Sequence, residues 1–356
     1  MLPVRVLSFF IVLTLFAGCT RPAVTGFSDP VARLEVQRLF VATQRTAGQV
    51  GQIFGQHRSP NMHYGRISIS IPPGHKPGHI ERGSGIADPR RFFAPLGVEP
   101  FDRVDQFTNK IRQEQAQQGT VPGNVLVYVH GYNNTMEDAA YRLAQIRHDF
   151  GIAEPAILFS WPSSGDARGY IYDRDSVLFA RDGFEQLIRD LRARGQREIV
   201  IVAHSMGGYL TMEALRQMAL KGDRHVMDAI STVVLMSPDI DPDVFRQQAA
   251  VIGRLPKPFV IMTSKKDKVL GLAEFLTGRK PRLGRIDNKS EVAGLGVTVL
   301  DVTDFTEDSA DSHNVAATSG ALIKLLRGIE RSIRQGGGTA GDFFLLGQER
   351  LQGLQL

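Results

Sequence analysis

Ser205 is preceded by Glu198-Ile199-Val200-Ile201-Val202-Ala203-His204 and followed at once by Met206-Gly207-Gly208. The run before it has the apolar, β-branched composition of a strand. From Tyr209 to Met218 helix formers dominate. A serine at the apex of a strand-to-helix turn lifts its hydroxyl above the sheet, in a strained conformation that only small neighbours permit. Ala203 and Gly207 are small, and Gly208 adds room. The helix behind Ser205 aims unpaired N–H groups and the positive end of its dipole at charge developing there. This is equipment for nucleophilic attack. Sterics alone also explain glycines at such a turn, so the partners of the serine decide the matter.

A serine hydroxyl needs a base, and the base needs an acid to orient it. On a parallel sheet with this turn both follow the serine in the chain, acid first, each just past a strand. Asp267 lies in Ser264-Lys265-Lys266-Asp267-Lys268, directly after the strand-like Phe259 to Thr263. Asp239 and Asp241, in Ser237-Pro238-Asp239-Ile240-Asp241, also follow a strand and are its rivals. Asp267 is the preferred acid. His313, in Asp311-Ser312-His313-Asn314, is the only histidine C-terminal to His225 and follows the last expected strand, so it is the base. His204 adjoins the serine but points away from the line of attack, as support or pocket wall. Two converging N–H donors must stabilise the oxyanion. Met206 supplies one; the loop His130-Gly131-Tyr132-Asn133 supplies the other, through Tyr132 first and Asn133 second.

The elements that carry these residues alternate. Strands are expected at Arg38–Thr43, Arg66–Ile71, Val125–Val129, Ala156–Trp161, Glu198–Ala203, Ser231–Met236, Phe259–Thr263 and Val297–Val302. Helices are expected at Thr108–Gln118, from Thr135 to Phe150, at Ser176–Arg194, behind Ser205, and at Val315–Ile333. Thr135 and Asp138 have capping-box spacing. Ala87 to Phe107 is rich in proline and reads as irregular. Strand-helix alternation implies an α/β fold, a mostly parallel sheet with helices on both faces. Val269 to Leu295 is long enough for a small lid and holds Leu270, Leu272, Phe275 and Leu276, which suits apolar substrates.

Three segments, His130-Gly131-Tyr132-Asn133-Asn134, Phe159-Ser160-Trp161-Pro162-Ser163-Ser164-Gly165 and Ala203-His204-Ser205-Met206-Gly207, together resemble a bacterial alpha/beta hydrolase family of uncharacterised function. The likeness runs from about Leu39 to Ile333. It implies the alpha/beta-hydrolase fold, with Ser205, Asp267 and His313 in the triad positions, and names no substrate. Trp161, on a strand taken to lie beside that of Ser205, either walls the substrate pocket or packs in the core. The expected activity is hydrolysis of a small-molecule or lipid ester, or a related acyl bond, through an acyl-enzyme. The same triad with another acceptor would make an acyltransferase, and a fold without turnover would make a binding or scaffold protein.

The flanks set location. Val6 to Phe16 is almost wholly apolar and shorter than the roughly 20 residues of a membrane-spanning helix. Phe16-Ala17-Gly18-Cys19 follows, and Cys19 is the only cysteine. The segment is similar to a bacterial lipoprotein signal at 1–18, with Phe16 where leucine is usual, and acyl chains on Cys19 would anchor the protein durably. Thr20, rather than aspartate, after Cys19 leans toward the outer membrane, facing the periplasm. A tether is expected over 19–36, the catalytic domain over 37–334, and a glycine-rich linker and apolar tail over 335–356 that packs back, frays or binds a protein partner. A net charge of +5 comes from scattered basic residues, which argues against nucleic acid. His57, His63, His75 and His79 sit in or near loops without cysteine or a close acidic ligand, so no metal and no cofactor is expected.

Overall fold

The computed structural model describes residues 25–324, apart from 49–51, 53, 279, 287–288 and 307–311. The proposed signal segment, Cys19 and the tail over 335–356 lie outside the described residues. So does the end of the last expected helix.

Nine strands form one sheet: β1 (Glu35–Ala47), β2 (Phe54–Ile71), β3 (Ala94–Phe101), β4 (Asn124–Val129), β5 (Ala156–Ser160), β6 (Glu198–His204), β7 (Ile230–Met236), β8 (Phe259–Thr263) and β9 (Thr298–Asp301). Their order is β3-β2-β1-β5-β4-β6-β7-β8-β9. From β1 to β9 all neighbours are parallel, while β2 and β3 add an antiparallel ledge. The chain leaves β4 for β5 on one side and returns to β6 on the other. That reversal opens a crevice at the carboxyl ends of β4 and β6, where open parallel sheets bind ligands.

Eight helices bounded within the described residues cover the sheet: α1 (Val104–Gln118), α2 (Met136–Phe150), α3 (Tyr170–Ala193), α4 (Met206–Leu220), α5 (Arg224–Met227), α6 (Pro242–Ile252), α7 (Lys268–Leu276) and α8 (Val315–Thr318). A further helical stretch starts at Gly320. Alternation along each strand sends its apolar residues to two cores. Val125, Val127 and Val129 of β4 pack with Phe107 of α1, Phe184 of α3 and Leu210 of α4. Leu126 and Tyr128 face the other way, against Leu143 of α2 and Ala317 of α8. Burial of large side chains such as these stabilises a fold by about 1.5–3 kcal/mol each. α2 starts as its sequence requires: Thr135 Oγ1 accepts from Asp138 N at 3.2 Å, and Asp138 Oδ2 accepts from Thr135 N at 3.0 Å.

Several elements differ from expectation. β3 falls in the stretch read as irregular. Pro95 and Pro100 are tolerated there because β3 is an edge strand with a single partner. β2 begins twelve residues before Arg66, with register shifts against β1. β5 is not beside β6, since β4 separates them. The stretch expected as a tether is bound to the domain from Thr25 on: Thr25 N donates to Gly85 O, Ser28 N to Pro95 O, and Ser28 Oγ to Ala87 O.

Candidate active site

Ser205 stands between β6 and α4 at φ 52°, ψ −121°. A non-glycine residue at positive φ costs of order 1–3 kcal/mol and persists only when its surroundings enforce it. Here Ser205 N donates to Met236 O of the neighbouring strand, and Ser205 O accepts from Gly208 N and Asp239 N. The small neighbours have a measurable reason. A Cβ on Gly207 would lie 2.4 Å from His130 O and 2.5 Å from Val129 O; one on Gly131 would lie 2.9 Å from Ser205 Cβ and 2.7 Å from His204 Nδ1. Helix α4 and the loop after β4 therefore nearly touch at the serine.

His313 precedes α8, and its Nδ1 lies 2.7 Å from Asp267 Oδ2. The Asp267 side chain has no exposed surface and that of His313 is 8% exposed, so water competes little for the bond. The other oxygen of Asp267 caps α7 by accepting from Leu270 N at 2.9 Å. His204 serves as support: its Nε2 lies 3.1 Å from His313 O, and the two rings stand 4.5 Å apart. Ser205, His204, His313 and Asp267 thus form one contiguous group. Among the described residues no hydrogen bond joins Ser205 Oγ to His313; such bonds are often long without substrate and tighten when it binds.

The rival acids have other duties. Asp241 caps α6 through Asp243 N and Val244 N. Asp239 accepts from Tyr170 Oη at 2.9 Å and lies 3.2 Å from Arg282 Nε, an ion-pair distance without hydrogen-bond alignment. Burial and the Asp239 carboxylate push the Tyr170 hydroxyl up to about 12, so it keeps its proton and donates.

On the other side of Ser205 the loop after β4 is pinned by buried polar groups. Arg45 of β1 is fully buried. Its Nε donates to Ser160 Oγ, Nη1 to Ser163 O and Nη2 to Asn134 O, at 2.9, 3.2 and 2.9 Å. Burial lowers its pKa to about 10, which still leaves it cationic at neutral pH. Asp173 of α3, also fully buried, accepts from Ser163 Oγ at 2.6 Å, Ser164 N at 2.7 Å and Asn133 N at 3.0 Å. Asn133, at φ 57°, therefore commits its N–H to Asp173, which removes it as an oxyanion donor. Tyr132 stays the choice from that loop, and its Oη donates to Ala167 O. Met206 is the first residue of α4, where an N–H has no partner inside the helix.

Trp161 is fully buried. It stacks on His130 at 4.9 Å and donates from Nε1 to His130 O at 2.7 Å. Of its two expected roles, core packing describes its surroundings, and through His130 it holds the same loop. Arg45 and Asp173 had not been singled out in the sequence. Arg45 meets partners 115 and 118 residues away, and no local pattern announces that.

A cleft of about 570 Å3 opens beside the group, lined by Tyr170, Arg174, Arg168, Ile171, Thr277 and Arg282 among others. Neither Ser205 nor His313 lines it; Tyr170 links it to the site through Asp239 and through its ring contact with Tyr132 at 5.4 Å. The stretch expected as a lid contains α7, with Leu272 and Phe275 exposed, and is fastened by Leu283 N to Ile240 O and Gly284 N to Pro238 O.

Residues 105–329 match the family model described as alpha/beta hydrolase of unknown function (DUF900). An uncharacterized protein of Nostoc sp. is 26% identical over 150 residues, which is 35% of this chain and 38% of that protein. Similar solved structures include a predicted CIB-like hydrolase from Thermoplasma acidophilum, at 13% identity and TM-score 0.38, covering 84% of this chain and 99% of that one. Another is an esterase from Rhizomucor miehei, at 13% identity and TM-score 0.36, covering 86% of each chain. The family model spans well over half of the sequence, and the chain belongs to this alpha/beta hydrolase family.

Proposed function

We propose that this family member is a serine hydrolase that cleaves an ester or related acyl bond through an acyl-enzyme. The observation that carries the reading is the 2.7 Å bond between His313 and Asp267, with the His313 ring packed on the residue next to a strained Ser205. Ser205 Oγ attacks the acyl carbon while His313 Nε2 takes its proton. Asp267 holds Nδ1 and stabilises the imidazolium. The N–H groups of Met206 and Tyr132 receive the oxyanion. His313 then protonates the leaving alcohol, and water, activated by the same imidazole, releases the acid.

Acylation of Cys19 would hold the enzyme at a bacterial membrane surface facing the periplasm. The test of the chemistry is labelling of the purified protein by a fluorophosphonate. Ser205 should be the modified residue, and wild-type protein left unlabelled under conditions that label a control serine esterase would overturn the reading. Added alcohol acceptors then separate hydrolysis from acyl transfer by the product formed.

A further inference from the structure

The loop after β2 and the C-terminal turn of α2 bring two imidazoles and a carboxylate to one point, away from Ser205. His75 Nε2 lies 2.9 Å from Asp149 Oδ1, and His148 Nε2 lies 4.0 Å from the same oxygen. One ligand atom from each of the three residues falls within 4.8 Å of the others. Around a tetrahedral Zn2+ with bonds near 2.0–2.1 Å, neighbouring donor atoms stand about 3.3 Å apart. The observed separations bracket that value.

The rear nitrogen of each ring is also committed. His75 Nδ1 is 2.8 Å from Glu81 Oε2, and His148 Nδ1 is 2.8 Å from Glu35 Oε1. A carboxylate only accepts, so Glu81 and Glu35 each take the Nδ1–H of their ring. His75 Nε2 faces Asp149 in the same way, so without metal that ring donates from both nitrogens, and a bound metal would displace its Nε2 proton. His148 Nε2, 4.0 Å from Asp149 Oδ1, is beyond hydrogen-bond distance, and a cation set between the two atoms would be bound by both. A carboxylate behind each imidazole is the support that metal-binding histidines use.

We propose that His75 Nε2, His148 Nε2 and Asp149 Oδ1 form a site for a divalent transition metal of the zinc class, with Glu81 and Glu35 orienting the two rings. Two imidazoles and one carboxylate suit Zn2+ and disfavour Mg2+ and Ca2+, which take oxygen ligands. The side chains of His75 and Asp149 are 4% and 1% exposed and that of His148 is 30% exposed, so the entry path and the position for a water ligand lie on the His148 side.

The position gives the metal a structural role. Asp149 Oδ2 accepts from Gly78 N and from Gln145 Nε2, both at 2.6 Å, and Gln145 Nε2 also donates to Ala317 O at 2.9 Å. Gly78 packs so closely on α8 that a Cβ there would lie 2.2 Å from Thr318 O. α8 starts two residues after His313. A metal at Asp149 would brace the helix that follows the base. The sequence hides this cluster because His148 and Asp149 stand more than seventy positions from His75.

The experiment uses full-length, tag-free protein stripped with EDTA and dialysed against Zn2+, or against Co2+ for its visible spectrum. One equivalent should bind, Co2+ should absorb as a tetrahedral centre, and the melting temperature should rise with free Zn2+ as mass action requires. His148→Ala should abolish the stoichiometric binding and the melting shift while circular dichroism stays native. Glu81→Gln, which preserves volume, should weaken Zn2+ by about 10–100-fold. Wild type that retains no Zn2+ at micromolar free metal, or His148→Ala and Glu81→Gln that both bind as tightly as wild type, would overturn the site.

Discussion

The two sides of Ser205 are held in different ways. On one side the loop after β4 is pinned by Arg45, Asp173, Ser163 and Trp161, all buried, which reach it from β1, α3 and the segment after β5. On the other side Asp267 holds the His313 ring, and His204 holds the His313 carbonyl. In the proposed mechanism the first side offers fixed N–H dipoles, and donors that are already in place cost no reorganisation during reaction. The second moves a proton between two oxygens, which requires an imidazole fixed at one nitrogen and able to reach both oxygens with the other. Buried side chains from several elements hold the first, and a carboxylate orients the second.

That contrast makes substitutions separable. On the side of Ser205, Asp267 and His313 they should cost rate far more than stability. Ser205→Ala is expected to lower turnover by about 10⁴-fold or more, with a melting temperature close to wild type. Residual turnover near wild type, measured on a model ester, would place the nucleophile elsewhere. Asp267→Asn should cost about 10⁴-fold in turnover yet keep the cap on α7, because Asn retains the oxygen that accepts from Leu270 N. Asp267→Ala should lose the cap as well, for about 1 kcal/mol more in urea unfolding. Equal stabilities of the two variants would show that the second oxygen carries no structural load.

On the side of Arg45 and Asp173 the order reverses. Arg45→Met leaves Ser160 Oγ, Ser163 O and Asn134 O without their donor. It should cost about 1–3 kcal/mol of stability for each acceptor left dry, with a fall in turnover smaller than that of Asp267→Asn. A large loss of rate at unchanged stability would erase the distinction between the two sides. A gentler probe is pH. Burial, with the Arg45 charge beside it, lowers the His130 pKa from 6.5 to about 3. Between those values the unfolded chain binds a proton that the folded one refuses. Stability should therefore fall as pH drops below 6.5, by at most about 1.4 kcal/mol per pH unit from this group. His130→Asn should flatten that part of the curve in unfolding titrations. In turnover the smallest effect is expected of Trp161→Phe, which keeps a ring against His130 but removes the bond to His130 O and leaves a void, for about 1–3 kcal/mol in urea unfolding.

Legibility in the sequence followed the same division. Ser205, Asp267 and His313 sit at strand ends in a fixed chain order, so alternation and spacing suffice to nominate them, and the parallel strands from β4 to β9 read plainly as apolar runs. The anchors did not read. Asp173 looks like any polar residue on a helix, and Arg45 like a charge just past a strand. Their meaning comes only from the crossover that folds β1 against β5. β3 was missed because prolines and Gly97 mask an edge strand that pairs on one side. Asn133 was placed correctly in the loop, but nothing nearby told that its N–H is spent on a carboxylate forty residues on.

The bond from His204 to the carbonyl of His313 spans 109 residues of chain with a single side chain. In the proposed mechanism the residue that attacks and the residue that takes its proton are tied by this one strut, so the loop that delivers His313 is coupled to the turn at the end of β6.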